Sequence, residues 1–169
     1  MTFKKNPVSL IIVFCLFSVT AVFAQDVNKP NLTAIGGEEK EISLGSMDPN
    51  TGFDFLMQLT TRGAAIEKVT FSKFTNLNGK NPQPLEILAP ATKPDGSEVL
   101  SMENQSLILP DFGLQLPLNK LQWNVLDVVK DDGKETAVFE AIIKDKTTGQ
   151  NLLKMTKTYQ ISAGVYDLR

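Results

Sequence analysis

The sequence predicts an all-β fold, a twisted β-sandwich preceded by one hydrophobic helix at the N-terminus. After residue 41, apolar residues mostly recur at every second position, which is the period of a half-buried strand. Turn signals such as Asp131-Asp132-Gly133 separate these runs. The segment Val8–Ala24, in contrast, is continuously uncharged. These three features indicate a β domain that follows an apolar leader.

The uncharged segment Val8–Ala24 comes directly after Lys4 and Lys5, an arrangement that directs a chain to the export machinery. Val22 and Ala24 suit cleavage after Ala24. The same segment is also suited to be a retained anchor, because as a helix it would be about 25 Å long, close to the ~30 Å hydrocarbon layer of a bilayer. Residues 1–24 are therefore predicted to be a signal-anchor or transmembrane segment.

The next stretch, residues 25–41, is polar and contains Pro30, Gly36 and Gly37, so it is predicted to be a linker. The β domain is then expected to cover residues 42–169.

The first half of the domain is predicted to open with two strands around a tight corner. A second strand over Ala65–Phe74 follows the corner at Arg62-Gly63, where glycine permits backbone angles that other residues avoid. Short strands are expected after this pair, at Leu85–Leu88, Ser106–Leu109 and Phe112–Leu118. One face of the first strand carries four apolar residues: Phe53, Phe55, Met57 and Leu59.

The last third is predicted to be a three-stranded antiparallel meander with turns at Asp131-Asp132-Gly133 and Thr148-Gly149. Lys157 interrupts the apolar face of its third strand. A further strand is expected over Val165–Leu168, and we expect the domain to continue beyond Arg169. The core-facing residues predicted for the three strands are Leu121, Trp123 and Val125, then Ala137, Phe139, Ala141 and Ile143, then Leu153, Met155, Tyr159 and Ile161.

Composition limits the chemistry of the exported part. The chain has no histidine, and its only cysteine, Cys15, lies in the hydrophobic segment, which removes Ser-His-Asp triads, Cys-His pairs and most zinc sites. Residues 25–169 hold 15 Lys and Arg against 19 Asp and Glu, a net charge of −4 without a basic block. Nucleic acid binding is therefore not expected. We predict no catalytic, cofactor-binding or metal-binding residues, and no enzymatic activity.

Two segments resemble the large periplasmic domain of YidC-type membrane protein insertases. One is Ile42–Phe74, in which a strand leads to a Thr-Arg-Gly corner, here Thr61-Arg62-Gly63-Ala64-Ala65. The other is Lys154–Leu168, in which Lys157-Thr158-Tyr159 precedes Gly164 and Tyr166. The resemblance covers roughly residues 42–169, and the order of hydrophobic segment, polar linker and β domain is that of the family.

The resemblance implies a twisted supersandwich in the bacterial periplasm, with the hydrophobic segment retained in the inner membrane and its N-terminus in the cytoplasm. It implies contacts with Sec translocon subunits, nascent membrane proteins and the lipid bilayer. The family's bundle of transmembrane helices, which holds the insertion groove, has no counterpart after Ala24, so no groove residue is assigned. In this interpretation the chain is the N-terminal part of an insertase.

Two other functions remain open. A secreted carbohydrate-binding or mutarotase-like module has a related fold, but sugar epimerisation of that type relies on histidine. A periplasmic chaperone domain would offer a hydrophobic cleft to unfolded chains.

Three residues have both a functional and a structural interpretation. Arg62 is either a partner contact or a solvated corner residue. Trp123 is either part of a peptide groove or a core residue, and its spacing favours the core. Lys157 either binds an anionic ligand or lies at the edge of a sheet, where its charge discourages strand-to-strand aggregation. We favour the edge position. The acidic pairs Glu38-Glu39 and Asp131-Asp132 are expected to be solvated.

Overall fold

The computed structural model describes residues 30–77 and 81–165, which form several antiparallel β-sheets with almost no helix. This confirms the all-β prediction. The predicted helix over 8–24 and nearly all of the predicted strand Val165–Leu168 lie outside the described residues. The strands are β1 (Leu32–Ile35), β2 (Glu41–Gly45), β3 (Phe55–Thr60), β4 (Ala65–Asn76), β5 (Gln83–Leu88), β6 (Ala91–Thr92), β7 (Glu98–Val99), β8 (Ser106–Leu109), β9 (Leu114–Pro117), β10 (Asn124–Asp131), β11 (Lys134–Asp145) and β12 (Asn151–Ser162), with 3-10 turns at Pro49–Thr51 and Pro110–Phe112.

The first of the two larger sheets, each of four strands, is built on β11, which the predicted hairpin turns place between β10 and β12. Strand β12 pairs along one edge of β11. The other edge is shared, because β10 pairs with the first half of β11 and β1 pairs with Ile142–Asp145. Four residues predicted to face inward from β11 are almost completely buried: Ala137, Phe139, Ala141 and Ile143.

The second sheet has the order β2-β3-β4-β5 and is formed by neighbours in sequence. The alternation predicted for the strand before the corner is confirmed. Phe55, Met57 and Leu59 of β3 are buried, and so is Phe53, which precedes this strand. Val69 and Phe71 of β4 lie opposite Met57 and Phe55. Two small hairpins, β6–β7 and β8–β9, complete the described chain.

Buried side chains of both larger sheets belong to one hydrophobic cluster. A hydrogen bond also crosses between them, from the Gly45 N–H to Glu135 Oε2 at 2.8 Å. Trp123 and Tyr159 are each only 1% exposed, which confirms their prediction as core residues.

Two predictions about local structure are wrong. Leu32–Ile35, inside the predicted linker 25–41, is a strand, and Glu41 already begins β2. The four residues of β1 are too few to give a clear alternation, and the partner of β1 lies in a distant part of the sequence. Residues 112–118 are not one strand, because Pro110–Phe112 forms a 3-10 turn and β9 begins only at Leu114.

Candidate functional site

The Thr61–Ala64 corner belongs to one of the two segments that resemble the insertase family, and its first residue, Thr61, is fully buried. The Thr61 hydroxyl accepts a hydrogen bond from the Lys40 N–H at 2.9 Å. It also lies 3.0 Å from the Glu38 carbonyl oxygen and 2.7 Å from Gln122 Oε1, and its single proton can be donated to one of these at a time. One side chain thus joins three segments of the chain.

Backbone hydrogen bonds extend this junction. The Trp123 N–H donates to the Thr61 carbonyl at 2.8 Å, and the Gly63 N–H donates to the Leu121 carbonyl at 2.9 Å. The Gly63 carbonyl accepts from the Asn104 N–H at 3.0 Å and from Asn104 Nδ2 at 2.8 Å. Gly63 has φ of 63°, as predicted for a corner glycine. The corner therefore fixes the loops before and after the β8–β9 hairpin to the β3–β4 pair.

Replacing Thr61 with valine is expected to lower the free energy of unfolding by about 1–3 kcal/mol. The same shape is kept at this buried position, but the hydroxyl no longer accepts from the Lys40 N–H or donates to Gln122, and each hydrogen bond contributes about 0.5–1.5 kcal/mol. Urea denaturation would measure the change. Thr92→Val is the matched control, since Thr92 lies exposed in β6 and should change stability by less than about 0.5 kcal/mol. Equal effects of the two substitutions would contradict the role of the hydroxyl.

Arg62 lies beside this junction but points to a different partner. Its guanidinium is 3.5 Å from Glu98 Oε2, and both side chains are substantially exposed. An ion pair in this setting contributes little to stability. The structure therefore shows Arg62 as a partly exposed corner residue that pairs with a carboxylate.

Lys157 and Tyr159 of β12 contact two residues with unusual backbone angles. The Tyr159 hydroxyl donates to the Ala64 carbonyl at 2.8 Å, and Lys157 Nζ donates to the Met102 carbonyl. Ala64 and Met102 have φ of 46° and 56°, the left-handed region that non-glycine residues rarely adopt. The two side chains therefore help to hold two strained backbone positions in place. Lys157 lies on an edge strand, as expected, but its ammonium group packs against the protein.

Burial lowers the pKa of the Lys157 ammonium group from 10.5 to about 8 and raises the pKa of the Tyr159 hydroxyl well above 10. The ammonium group also lies 5.1 Å from the centre of the Tyr159 ring, a contact that favours the charged form but does not outweigh the burial.

Between pH 8 and 10, the free energy of unfolding of the wild-type protein is expected to rise relative to that of the Lys157→Met variant. In this range the unfolded chain keeps the Lys157 proton while the folded domain releases it, so the unfolded state binds more protons. Above pH 10 the stability of both proteins should fall, because tyrosine ionises in the unfolded chain and Tyr159 stays neutral in the folded domain.

Denaturation midpoints at a series of pH values would test this, with Lys93→Met as the control because Lys93 lies exposed in a loop. Identical pH profiles for wild type and Lys157→Met would contradict the prediction.

An apolar cleft of about 310 Å³ lies where the β8–β9 hairpin approaches β1 and the ends of β11 and β12. A β-bulge shapes its floor: Leu153 pairs with Ile143 and Asn151 with Lys144, so Leu152 is an extra residue. Adjacent strand residues normally face opposite sides, yet Leu152 and Leu153 both line the cleft. Its lining residues are Pro30, Leu32, Leu107, Leu109, Phe112, Ile143, Leu152 and Leu153.

A second cleft of about 360 Å³ shares Leu32 with the first. It is lined on the side of β9 by Leu116 and Pro117, and it contains Lys120 and Lys146. Neither lysine forms an ion pair with a residue in the part of the chain that the structure describes. An apolar surface therefore continues into a basic one.

No family model, curated protein or solved structure matches the chain. Among residues 30–77 and 81–165, no helix is long and apolar enough to cross a membrane, and no group of three or more acidic side chains is arranged to hold a metal ion.

Trp123 and the two acidic pairs singled out in the sequence do not line either cleft. Trp123 is buried, while Glu38-Glu39 and Asp131-Asp132 are exposed as expected. Sequence reasoning missed the apolar cleft. Its signal was the adjacent pair Leu152-Leu153 at the start of a strand of period two, since one of two neighbouring apolar residues must face away unless the strand contains a bulge.

Proposed function

We propose that this chain is the N-terminal part of a membrane protein insertase, which assists the insertion and folding of bacterial inner-membrane proteins. Val8–Ala24 acts as the anchor, with Lys4 and Lys5 on the cytoplasmic side according to the positive-inside rule. The β domain lies in the periplasm and contacts Sec translocon subunits and nascent membrane proteins. Its role is positioning and partner contact and involves no catalysis.

The observation that carries this proposal is the Thr61–Ala64 corner. The residues that resemble the insertase family here are the ones that join the strand pair β3–β4 to the segments around residues 38–40, 104 and 121–123. A structural signature is expected to join several segments of the fold in this way. Tyr159, in the second matching segment, also bonds to this corner.

We further propose that the two larger sheets form a twisted sandwich of the supersandwich type. Their buried faces contribute to one hydrophobic cluster, and the Gly45–Glu135 hydrogen bond joins them. A sugar-binding function finds less support, because Trp123 and Tyr159 are buried and neither can stack on a sugar ring.

Site-specific photo-crosslinking of the full-length gene product in living cells tests the proposed contacts. Phe74 and Leu126 are large, exposed apolar residues at which a photoreactive amino acid would not disturb the core. We expect adducts with a translocon subunit and with a radiolabelled nascent inner-membrane protein. A nascent soluble periplasmic protein is the control.

Equal adducts with the membrane protein and the soluble control, or none with either, would contradict client contact.

N-terminal sequencing of the mature protein tests the anchor separately, because a new terminus at Gln25 would show that the hydrophobic segment is removed. A reading frame that closes directly after Arg169 would exclude the insertase interpretation.

A further inference from the structure

The apolar cleft has a lip of exposed hydrophobic side chains. Phe112 is 39% exposed, Leu152 52% and Leu153 43%, although all three also line the cleft. Leaving large apolar groups in water is unfavourable, and contiguous exposed patches of this kind usually mark contact surfaces. The side chains come from two separate elements, the 3-10 turn after β8 and the bulged start of β12.

The position of this lip along the chain restricts what can meet it. Pro30, the first described residue, itself lines the cleft. Six residue steps separate it from Ala24, the end of the hydrophobic segment, and a fully extended chain of that length spans at most about 21 Å. A bilayer that holds Val8–Ala24 therefore lies within about 21 Å of the cleft.

The charge next to the cleft is suited to a lipid surface. Lys120 and Lys146 line the adjoining cleft, where their ammonium groups are available to an anionic headgroup. Basic side chains beside an apolar patch are the usual composition of a surface that binds the membrane interface. Asp111 precedes Phe112 and opposes this attraction in part, and the exported part as a whole is acidic. Lys120 and Lys146 thus form a locally basic surface on a domain that is acidic as a whole.

We propose that the lip formed by Phe112, Leu152 and Leu153 inserts into the interface of the bilayer that anchors the chain, with Lys120 and Lys146 contacting anionic headgroups. This inference rests on the proposed anchoring of Val8–Ala24. It assigns an orientation to the domain: the end of β11 at Asp145 faces the membrane. The turn at Asp132-Gly133, at the other end of this 12-residue strand, lies about 36 Å from it, well beyond the interface.

The experiment uses the full chain with Cys15→Ser, which frees the sequence of cysteine. Single cysteines are introduced by Phe112→Cys, Leu152→Cys and, as the control, Asp132→Cys, all at exposed positions. Each carries an environment-sensitive fluorophore. The variants are reconstituted into vesicles of phosphatidylethanolamine and phosphatidylglycerol, with and without nitroxide-labelled lipid as a quencher. Flotation of the vesicles reports anchoring independently of the fluorophore.

All three variants are expected to float with the vesicles. Emission from positions 112 and 152 should shift to shorter wavelength and be quenched by the nitroxide lipid at least about twofold more strongly than emission from position 132, as expected for side chains in the acyl boundary. Lys120→Gln with Lys146→Gln should reduce the dependence of quenching on phosphatidylglycerol, whereas Lys93→Gln with Lys134→Gln should not.

Variants that float but show equal quenching at positions 112, 152 and 132 would overturn the inference and leave the anchoring intact. Variants that fail to float would overturn the anchoring on which it rests. A blue shift at position 112 without quenching by lipid would also overturn the inference, because the cleft would then be filled by protein, either a second copy or another segment of this chain. Quenching that is independent of phosphatidylglycerol would overturn the role of the two lysines.

Discussion

Replacing Phe139 with alanine is expected to lower the free energy of unfolding by about 3–5 kcal/mol, among the largest effects of any single truncation in this domain. Phe139 is fully buried on the central strand β11. Its ring meets that of Tyr159 edge to face, with 5.9 Å between the centroids. Truncation removes this contact and leaves a cavity that two paired neighbouring strands cannot easily close.

Urea denaturation, followed by circular dichroism, measures this loss. Val138→Ala is the matched control, because Val138 is the adjacent residue of the same strand, faces the opposite side and is only half-buried. We expect the control to lose less than half as much stability. A loss below about 1.5 kcal/mol for Phe139→Ala would contradict the assignment of this residue to the centre of the core.

Gly45→Ala is expected to be almost as severe, for a different reason. Gly45 has φ of 78°, and a Cβ atom there would lie 2.2 Å from the Phe55 carbonyl oxygen and 2.9 Å from Ile161 Cδ1. The left-handed backbone alone costs about 1–2 kcal/mol for alanine. The overlap with backbone atoms adds about 1–3 kcal/mol, because a carbonyl cannot move aside as a side chain can.

Gly96→Ala separates these two contributions. Gly96 has nearly the same φ, 81°, but no atom lies within 4 Å of its would-be Cβ. The difference in unfolding free energy between the two variants therefore measures the overlap alone. The close approach of β2 to β3 and β12 at Gly45 would be refuted by equal losses in Gly45→Ala and Gly96→Ala.

The sequence predicted those parts of the fold in which the signal is local. Alternation identified Phe55 to Leu59 and Ala137 to Ile143 as buried faces, and the Asp-Asp-Gly turn located the hairpin between β10 and β11. Leu32–Ile35 was missed because a strand of four residues shows hardly two periods. Its pairing depends on Ile142–Asp145, which no local pattern connects to it.

The candidate site was predicted less completely than the fold. The Thr61–Ala64 corner was recognised from the sequence, but its buried hydroxyl network depends on Glu38 and Gln122, which are distant in sequence. The apolar cleft depends on a bulge at Leu152 and on the place where the β8–β9 hairpin lies. Both are consequences of tertiary packing, so residue periodicity does not indicate them.

The shared edge of β11 has a consequence for the order in which this molecule assembles. A ribosome releases β1 early, yet the partner of β1, Ile142–Asp145, follows about 110 residues later. The second sheet needs only neighbouring segments and can form while synthesis continues, whereas closing so long a loop is entropically unfavourable and slow. Strand β1 therefore has no pairing partner until Ile142–Asp145 has been synthesised. The apolar cleft that β1 borders is then completed among the last features of the fold.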